Sequence, residues 1–209
     1  MPVCTGKEQR GTTLIEVLVS LVILLVALLG LAGLQARGQQ SEMESYQRVQ
    51  AMVLLQDMAG RINANRKVAS CYVFTTNPAA GTPYLGTSAT AATTVPATCA
   101  GTATENAQVT ADLTAWDQDL NGAAEVSAGT KVGAMIGARG CISYDATTEL
   151  TDPTTATTIA GTGIYTLSVA WQGLGNTAVA TPNCGKGLYG ANDAARRTVS
   201  LTMRMASLL

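Results

Sequence analysis

The hydrophobic pattern divides the chain sharply. From Val17 to Leu34 the sequence VLVSLVILLVALLGLAGL contains only apolar or small residues. At 1.5 Å per residue these 18 positions make about 27 Å of helix, and extension back to Thr12 spans a hydrocarbon core. After this segment the pattern changes period but stays helical. Met43, Tyr46, Val49, Met52, Val53, Met58 and Ile62 recur at helical spacing, with Glu42, Glu44, Arg48, Gln50 and Asp57 between them. No proline occurs between Pro2 and Pro78, so one helix is predicted from about Thr12 to Ala64, apolar all round in its first half and amphipathic in its second. Gly30, Gly33 and Gly38 mark the expected place for bending, because each glycine costs a helix about 0.5 to 1 kcal/mol relative to alanine.

Further along, TENAQVTADLTAWDQDLNG predicts a short helix with Leu113, Trp116 and Leu120 on one face. Strand alternation is clear twice: Tyr165, Leu167, Val169 and Trp171 against Thr166, Ser168 and Ala170, and Val199, Leu201, Met203 and Met205 against Ser200, Thr202 and Arg204. Weaker strand signals cover Lys131 to Ile136 and Cys141 to Tyr144. The Thr/Ala/Gly/Pro-rich stretches Thr75–Thr104 and Thr147–Gly163 read as surface loops. The economical arrangement is α+β: an antiparallel sheet of about four strands packed on the amphipathic half of the long helix.

Composition narrows the chemistry. The 209 residues carry a formal net charge of −1, so no nucleic-acid footprint is present and no direct nucleic-acid binding is expected. There is no histidine, which removes the commonest general base and metal ligand, and no phosphate-cradling glycine loop ending in Lys-Ser or Lys-Thr; an enzyme is not expected. DQDLNG at Asp117–Gly122 matches the start of a calcium loop, but position twelve is Ala128 where a bidentate glutamate is required. A helix ending in Asn-Gly is the better reading, and no metal or cofactor is expected.

The cysteines are Cys4, Cys71, Cys99, Cys141 and Cys184, with no C-x-x-C. Loss of a leader containing Cys4 leaves four, an even set suited to two disulfides in an oxidising compartment. Four cysteines allow three connectivities. The sequential one, Cys71 with Cys99 and Cys141 with Cys184, is preferred because each bridge closes a loop that its composition leaves poorly packed.

The one acidic residue inside the apolar run, Glu16, needs a reason, because a buried membrane carboxylate is expensive. A cleaved secretory signal and a plain signal anchor both share the basic start and apolar run, but the run is long for the former and continues into helix. The flanking sequence RGTTLIEV resembles the prepilin (class III) signal of type IV pilins: a short basic leader ending in glycine, then a cleavage point, then Thr-Leu-Ile-Glu two residues on. The usual first mature residue of that signal is Phe, and Thr12 stands there instead.

The resemblance implies a leader over 1–11, cut by prepilin peptidase between Gly11 and Thr12, with N-methylation of Thr12. It also implies that Glu16 pairs with the Thr12 amine of a neighbouring subunit and so sets register in a filament. Amine and carboxylate attract strongly in a low-dielectric setting, and each is costly alone. The implied organisation is a membrane and assembly half of the first helix over 12–36, its amphipathic half over 37–66, and a pilin head over 67–209.

VLLQDMAGRINANR, GCISYD and YTLSVAWQG are similar, within that superfamily, to the minor pilins. Implied partners are other minor pilins, the major pilin, prepilin peptidase and the inner-membrane pilus assembly machinery. The implied location is the inner membrane, single-pass with the N-terminus cytoplasmic and the head periplasmic, then the pilus on the cell surface. A minor pseudopilin of type II secretion shares the signal and the helix, though such proteins are usually shorter.

Overall fold

The structure, a computed structural model, describes residues 13–96, 99–123, 125–131, 133 and 135–206. The first helix, α1, covers Leu14–Ala64 without interruption, 51 residues, and its helical hydrogen bonding continues through Gly30, Gly33 and Gly38. Two compact units meet in sequence between Met43 and Glu44. Up to Met43 the described chain is helix alone, and its large apolar side chains are open: Leu14 is 83% and Leu29 73% exposed. An 18-residue window of α1 has mean hydropathy 3.0, enough to cross a membrane by length and composition.

From Glu44 onward the chain makes an α+β head. A 3-10 segment, Arg66–Tyr72, follows α1. Then come β1 (Leu85–Gly86), α2 (Ala103–Leu120), the hairpin of β2 (Val126–Ser127) and β3 (Thr130–Lys131), β4 (Arg139–Asp145), the hairpin of β5 (Leu150–Thr151) and β6 (Thr158–Ile159), β7 (Ile164–Gln172) and β8 (Arg196–Arg204). The main sheet is antiparallel in the order β1-β4-β7-β8. Its register aligns Tyr144 with Tyr165, Ile142 with Leu167, and Leu167 with Leu201.

One face of the sheet meets α1 and α2. Leu55, Met58 and Ile62 of α1 share a core with Leu113, Trp116 and Leu120 of α2 and with Tyr165, Leu167, Val169 and Trp171 of β7. Burying each of these larger side chains contributes about 1.5 to 3 kcal/mol. The buried stripe of α1 is Gln47, Ala51, Leu55, Met58 and Ile62. Tyr46, Val49, Met52 and Val53, predicted to cover the sheet, are instead 40 to 57% exposed. Helical spacing fits both stripes. The head takes the one centred on Ala51, which has no exposed surface at all and whose small side chain permits close approach.

The other face of the sheet is covered too. Tyr84, Cys141, Ala170, Cys184 and Tyr189 make a second, smaller core. Between them Arg139 is held over the rings of Tyr84 and Tyr189, at 5.3 and 5.0 Å from their centroids. The long β7–β8 connection supplies this layer. Arg196, with no exposed surface, donates to the carbonyls of Pro182 (2.7 Å), Ala180 (2.7 Å) and Cys184 (3.4 Å) and pairs with Asp193 at 3.3 Å. The Asp193 carboxylate also accepts from the backbone of Gly187 and Tyr189.

Two loop expectations and one strand expectation change. Leu85–Gly86, inside the predicted loop Thr75–Thr104, is the fourth strand of the sheet, paired to Arg139 and Gly140. A two-residue strand is too short to show any period. Gly86 has φ +94°, and a Cβ there would lie 2.4 Å from the Ala138 carbonyl oxygen, so only glycine fits the approach. The predicted loop Thr147–Gly163 contains the β5–β6 hairpin. In the span Lys131 to Ile136, only Lys131 is in a described strand. That strand pairs with Val126–Ser127 and lies outside the main sheet.

Candidate functional site

Glu16 lies in the first turn of α1, where a negative charge suits the helix dipole. Its backbone carbonyl accepts from the Ser20 hydroxyl at 2.5 Å, which also reaches the Val17 carbonyl at 3.1 Å. The hydroxyl of the apolar run is thus satisfied within its own helix. The Glu16 carboxylate, in contrast, has no hydrogen-bond or ion-pair partner among the described residues. Around it every large apolar residue described up to Met43 is open. Among its described residues, the first unit therefore presents an apolar helix with an unpaired carboxylate in its first turn. Gly11 and Thr12, the predicted cleavage and methylation residues, and Cys4 lie outside the described residues.

The four remaining predicted site residues lie in the head as two disulfides. Cys71–Cys99, with Cα atoms 5.5 Å apart, ties the 3-10 segment to the loop ahead of α2. Cys141–Cys184, with Cα atoms 5.8 Å apart, staples β4 to the β7–β8 connection. The first bridge anchors the α2 entry, where Thr102 and Glu105 form a capping box. Backbone and hydroxyl donation from Thr102 holds the Glu105 carboxyl below its usual range. The second bridge fixes the layer built around Arg196.

The helices are joined by a polar clamp. Tyr72 donates to Asp112 Oδ2 at 2.6 Å, while Arg61 (3.2 Å) and Gln108 (2.9 Å) both reach Oδ1. Burial, followed by the Asp112 hydrogen bond, raises the Tyr72 phenol well above its ordinary value. Asp117, the first residue of the calcium-like DQDLNG, accepts from the Gly86 backbone at 2.7 Å and from the Asn121 side chain at 3.3 Å. It pins β1 to α2, and Asn121 is the C-cap of that helix. No cluster of three or more potential metal ligands occurs among the described residues.

Two cavities open on the surface of the described head. The exposed α1 stripe of Tyr46, Val49 and Val53 lines an apolar cavity of about 320 Å³ with Leu120 and Met135. Glu125 at its rim accepts from Tyr46 (3.2 Å) and Gln50 (3.0 Å). A second cavity, of about 550 Å³, opens beside Arg66 and Lys67. The adjacent basic pair is visible in the sequence, but its neighbours Tyr144 and Glu149 come from a distant segment and only the fold brings them together.

A long apolar N-terminal helix whose second half packs on a four-stranded antiparallel sheet is the architecture of a type IV pilin. Residues 6–32 match the prokaryotic N-terminal methylation motif. Residues 33–117 match the Tt1218-like family, described as type IV pilin Tt1218. No curated protein and no solved structure matches the chain. Over residues 33–117 the chain is thus similar to type IV pilins of the Tt1218-like kind, and it carries a prepilin methylation motif at its N-terminus. That points to a pilus structural subunit, processed by a peptidase and anchored in a membrane before assembly; the family is structural, not enzymatic.

Proposed function

We propose that the chain is a minor pilin of the PilV type, the type IV pilus modification protein. In this role it joins other minor pilins and the major pilin to prime assembly of a filament that supports twitching motility and surface adhesion. Prepilin peptidase cuts between Gly11 and Thr12 and methylates Thr12. The new amine then becomes the partner that a neighbour's Glu16 lacks. Before assembly the protein sits in the inner membrane with its N-terminus cytoplasmic and its head periplasmic, until the assembly machinery extracts it.

The observation that carries this reading is the Glu16 carboxylate, without a partner among the described residues, on a stretch of helix whose large apolar side chains are exposed, directly downstream of RGTTLI. A charge so placed is costly in isolation and is stabilised by an amine at the same depth. The open stripe Tyr46, Val49 and Val53 is available to the flank of an adjacent subunit.

Mass analysis of the N-terminus from sheared pili is expected to show a methylated chain starting at Thr12. A start at Met1 or after Ala36 overturns the proposal. Glu16→Val is expected to leave the protein in the membrane but absent from pili. Deleting the gene should lower pilus number and leave exoprotein secretion unchanged; the reverse pattern would assign it to a type II secretion pseudopilus.

A further inference from the structure

The 550 Å³ cavity at the end of α1 is built from five parts of the head: the 3-10 segment with Arg66, Lys67 and Ser70, the end of β4 with Tyr144, the β5–β6 hairpin region with Glu149, Tyr165 of β7, and Met205 just beyond β8. Its walls are fixed. Tyr144 lies against Tyr165 on the neighbouring strand, ring centroids 4.6 Å apart. The Tyr144 hydroxyl donates to Glu149 Oε1 and accepts from the Gly163 backbone at 3.0 Å. Glu149 Oε1 also accepts from the Gly161 backbone at 2.9 Å. These bonds hold the Glu149 carboxyl below its usual range, so it stays ionised at neutral pH.

What the walls leave over is specific. Arg66 and Lys67 are exposed and make no hydrogen bond or close ion pair among the described residues, though the charge of Lys67 reaches the Glu105 carboxylate. Glu149 Oε2 and the Ser70 hydroxyl likewise make no hydrogen bond there. The half-buried Tyr144 ring and Met205 supply apolar wall. A site with only the two cations would suit any anion, but the carboxylate of Glu149 repels a bare one. It accepts hydroxyl groups instead. A ligand that satisfies all four groups carries an anionic head, several hydroxyls and an apolar C–H face on one compact ring.

We propose that this pocket binds an acidic saccharide unit, its carboxylate set against Arg66 and Lys67 and its hydroxyls against Glu149 and Ser70. This goes beyond the filament role and does not depend on it, since the pocket lies wholly in the head and is complete without cleavage at Gly11. Saturation-transfer difference NMR on the full chain in detergent micelles tests it, using a glucuronic-acid-terminated disaccharide, the matching glucose disaccharide and inorganic phosphate as competitor. The acidic disaccharide is expected to receive saturation on its ring protons at millimolar concentration. The neutral one should bind at least about tenfold more weakly, the scale of one charge-assisted pair. Phosphate at equal concentration should leave the signal in place.

The R66Q/K67Q variant, whose replaced side chains make no hydrogen bond or ion pair among the described residues and of which only Lys67 acts on a carboxylate of the head, Glu105, is expected to lose the signal with its near-ultraviolet circular dichroism unchanged. Absence of transfer to the acidic disaccharide, an undiminished signal in R66Q/K67Q, equal binding of the neutral sugar, or full displacement by phosphate would each overturn the proposal. A pili-incorporation assay on the same variant separates this from the assembly role, which should be unaffected.

Discussion

The indole nitrogen of Trp116 donates to the backbone carbonyl of Leu54 at 3.1 Å, so the largest buried side chain of α2 is fastened to the backbone of α1. Trp116 also lies beside Phe74, with ring centroids 6.5 Å apart. Trp116→Ala removes both the bond and the core volume and is expected to cost about 3 to 5 kcal/mol. Trp116→Phe keeps most of the volume and should cost less than half of that. Urea denaturation of the detergent-solubilised protein, followed by near-ultraviolet circular dichroism, gives both values. Equal losses in the two variants would show that the hydrogen bond, not the packing, dominates.

Gly140 makes room for that same ring. A Cβ at this position of β4 would lie 2.4 Å from the Trp116 Cη2 and 2.7 Å from the Leu120 Cδ1. Gly140→Ala therefore overpacks the core and is expected to destabilise the head by about 1 to 3 kcal/mol. The double variant with Trp116→Phe should recover part of this loss, because the two sites are in contact and do not add.

Arg196→Met tests the layer behind the sheet. The change removes the donor to three carbonyls and leaves Asp193 buried without its cation, at an expected cost of about 3 to 5 kcal/mol. Limited proteolysis should then cut between Gly173 and Ala195 while α2 stays protected. Cleavage at α2 first would contradict the local role assigned to Arg196.

Alkaline titration should divide the tyrosines. Burial raises Tyr165 to about 12 and also raises Tyr72, Tyr144 and Tyr189. In each the neutral phenol is the favoured folded form. Their contribution to stability is complete below the ordinary value of about 10 and is lost as pH rises through the folded values. Tyrosinate absorbance of the folded protein should lag behind that of the urea-unfolded chain, and unfolding should set in as the lagging groups ionise. Coincident curves would show the phenols to be solvent-accessible.

The sequence made the long helix and the two long strands legible because each carries enough turns or alternations to show its period. Leu113, Trp116 and Leu120 share the buried face they were expected to share. The choice between two apolar stripes on α1 was not legible, since Gln47 reads as surface and Tyr46 as core, yet the fold buries Gln47. β1 was hidden by its length. Arg196 was visible as half of a basic pair, but nothing local says that one arginine turns inward to three carbonyls while Arg197 reaches Glu44 at 3.1 Å. The saccharide pocket was least legible of all, because its cations and its carboxylate are separated by most of the head.

The uncovered helix of the first unit leaves this polypeptide without a comfortable aqueous form. Leu, Val and Ile side chains are about as well placed among acyl tails as among the same side chains of other helices. Passage of such a segment from bilayer to polymer is therefore nearly neutral in hydrophobic free energy, and neither environment traps it. In the filament proposed above, growth and retraction can then be driven from outside in either direction, and we propose that close packing and the charge at Glu16 decide where each subunit stops.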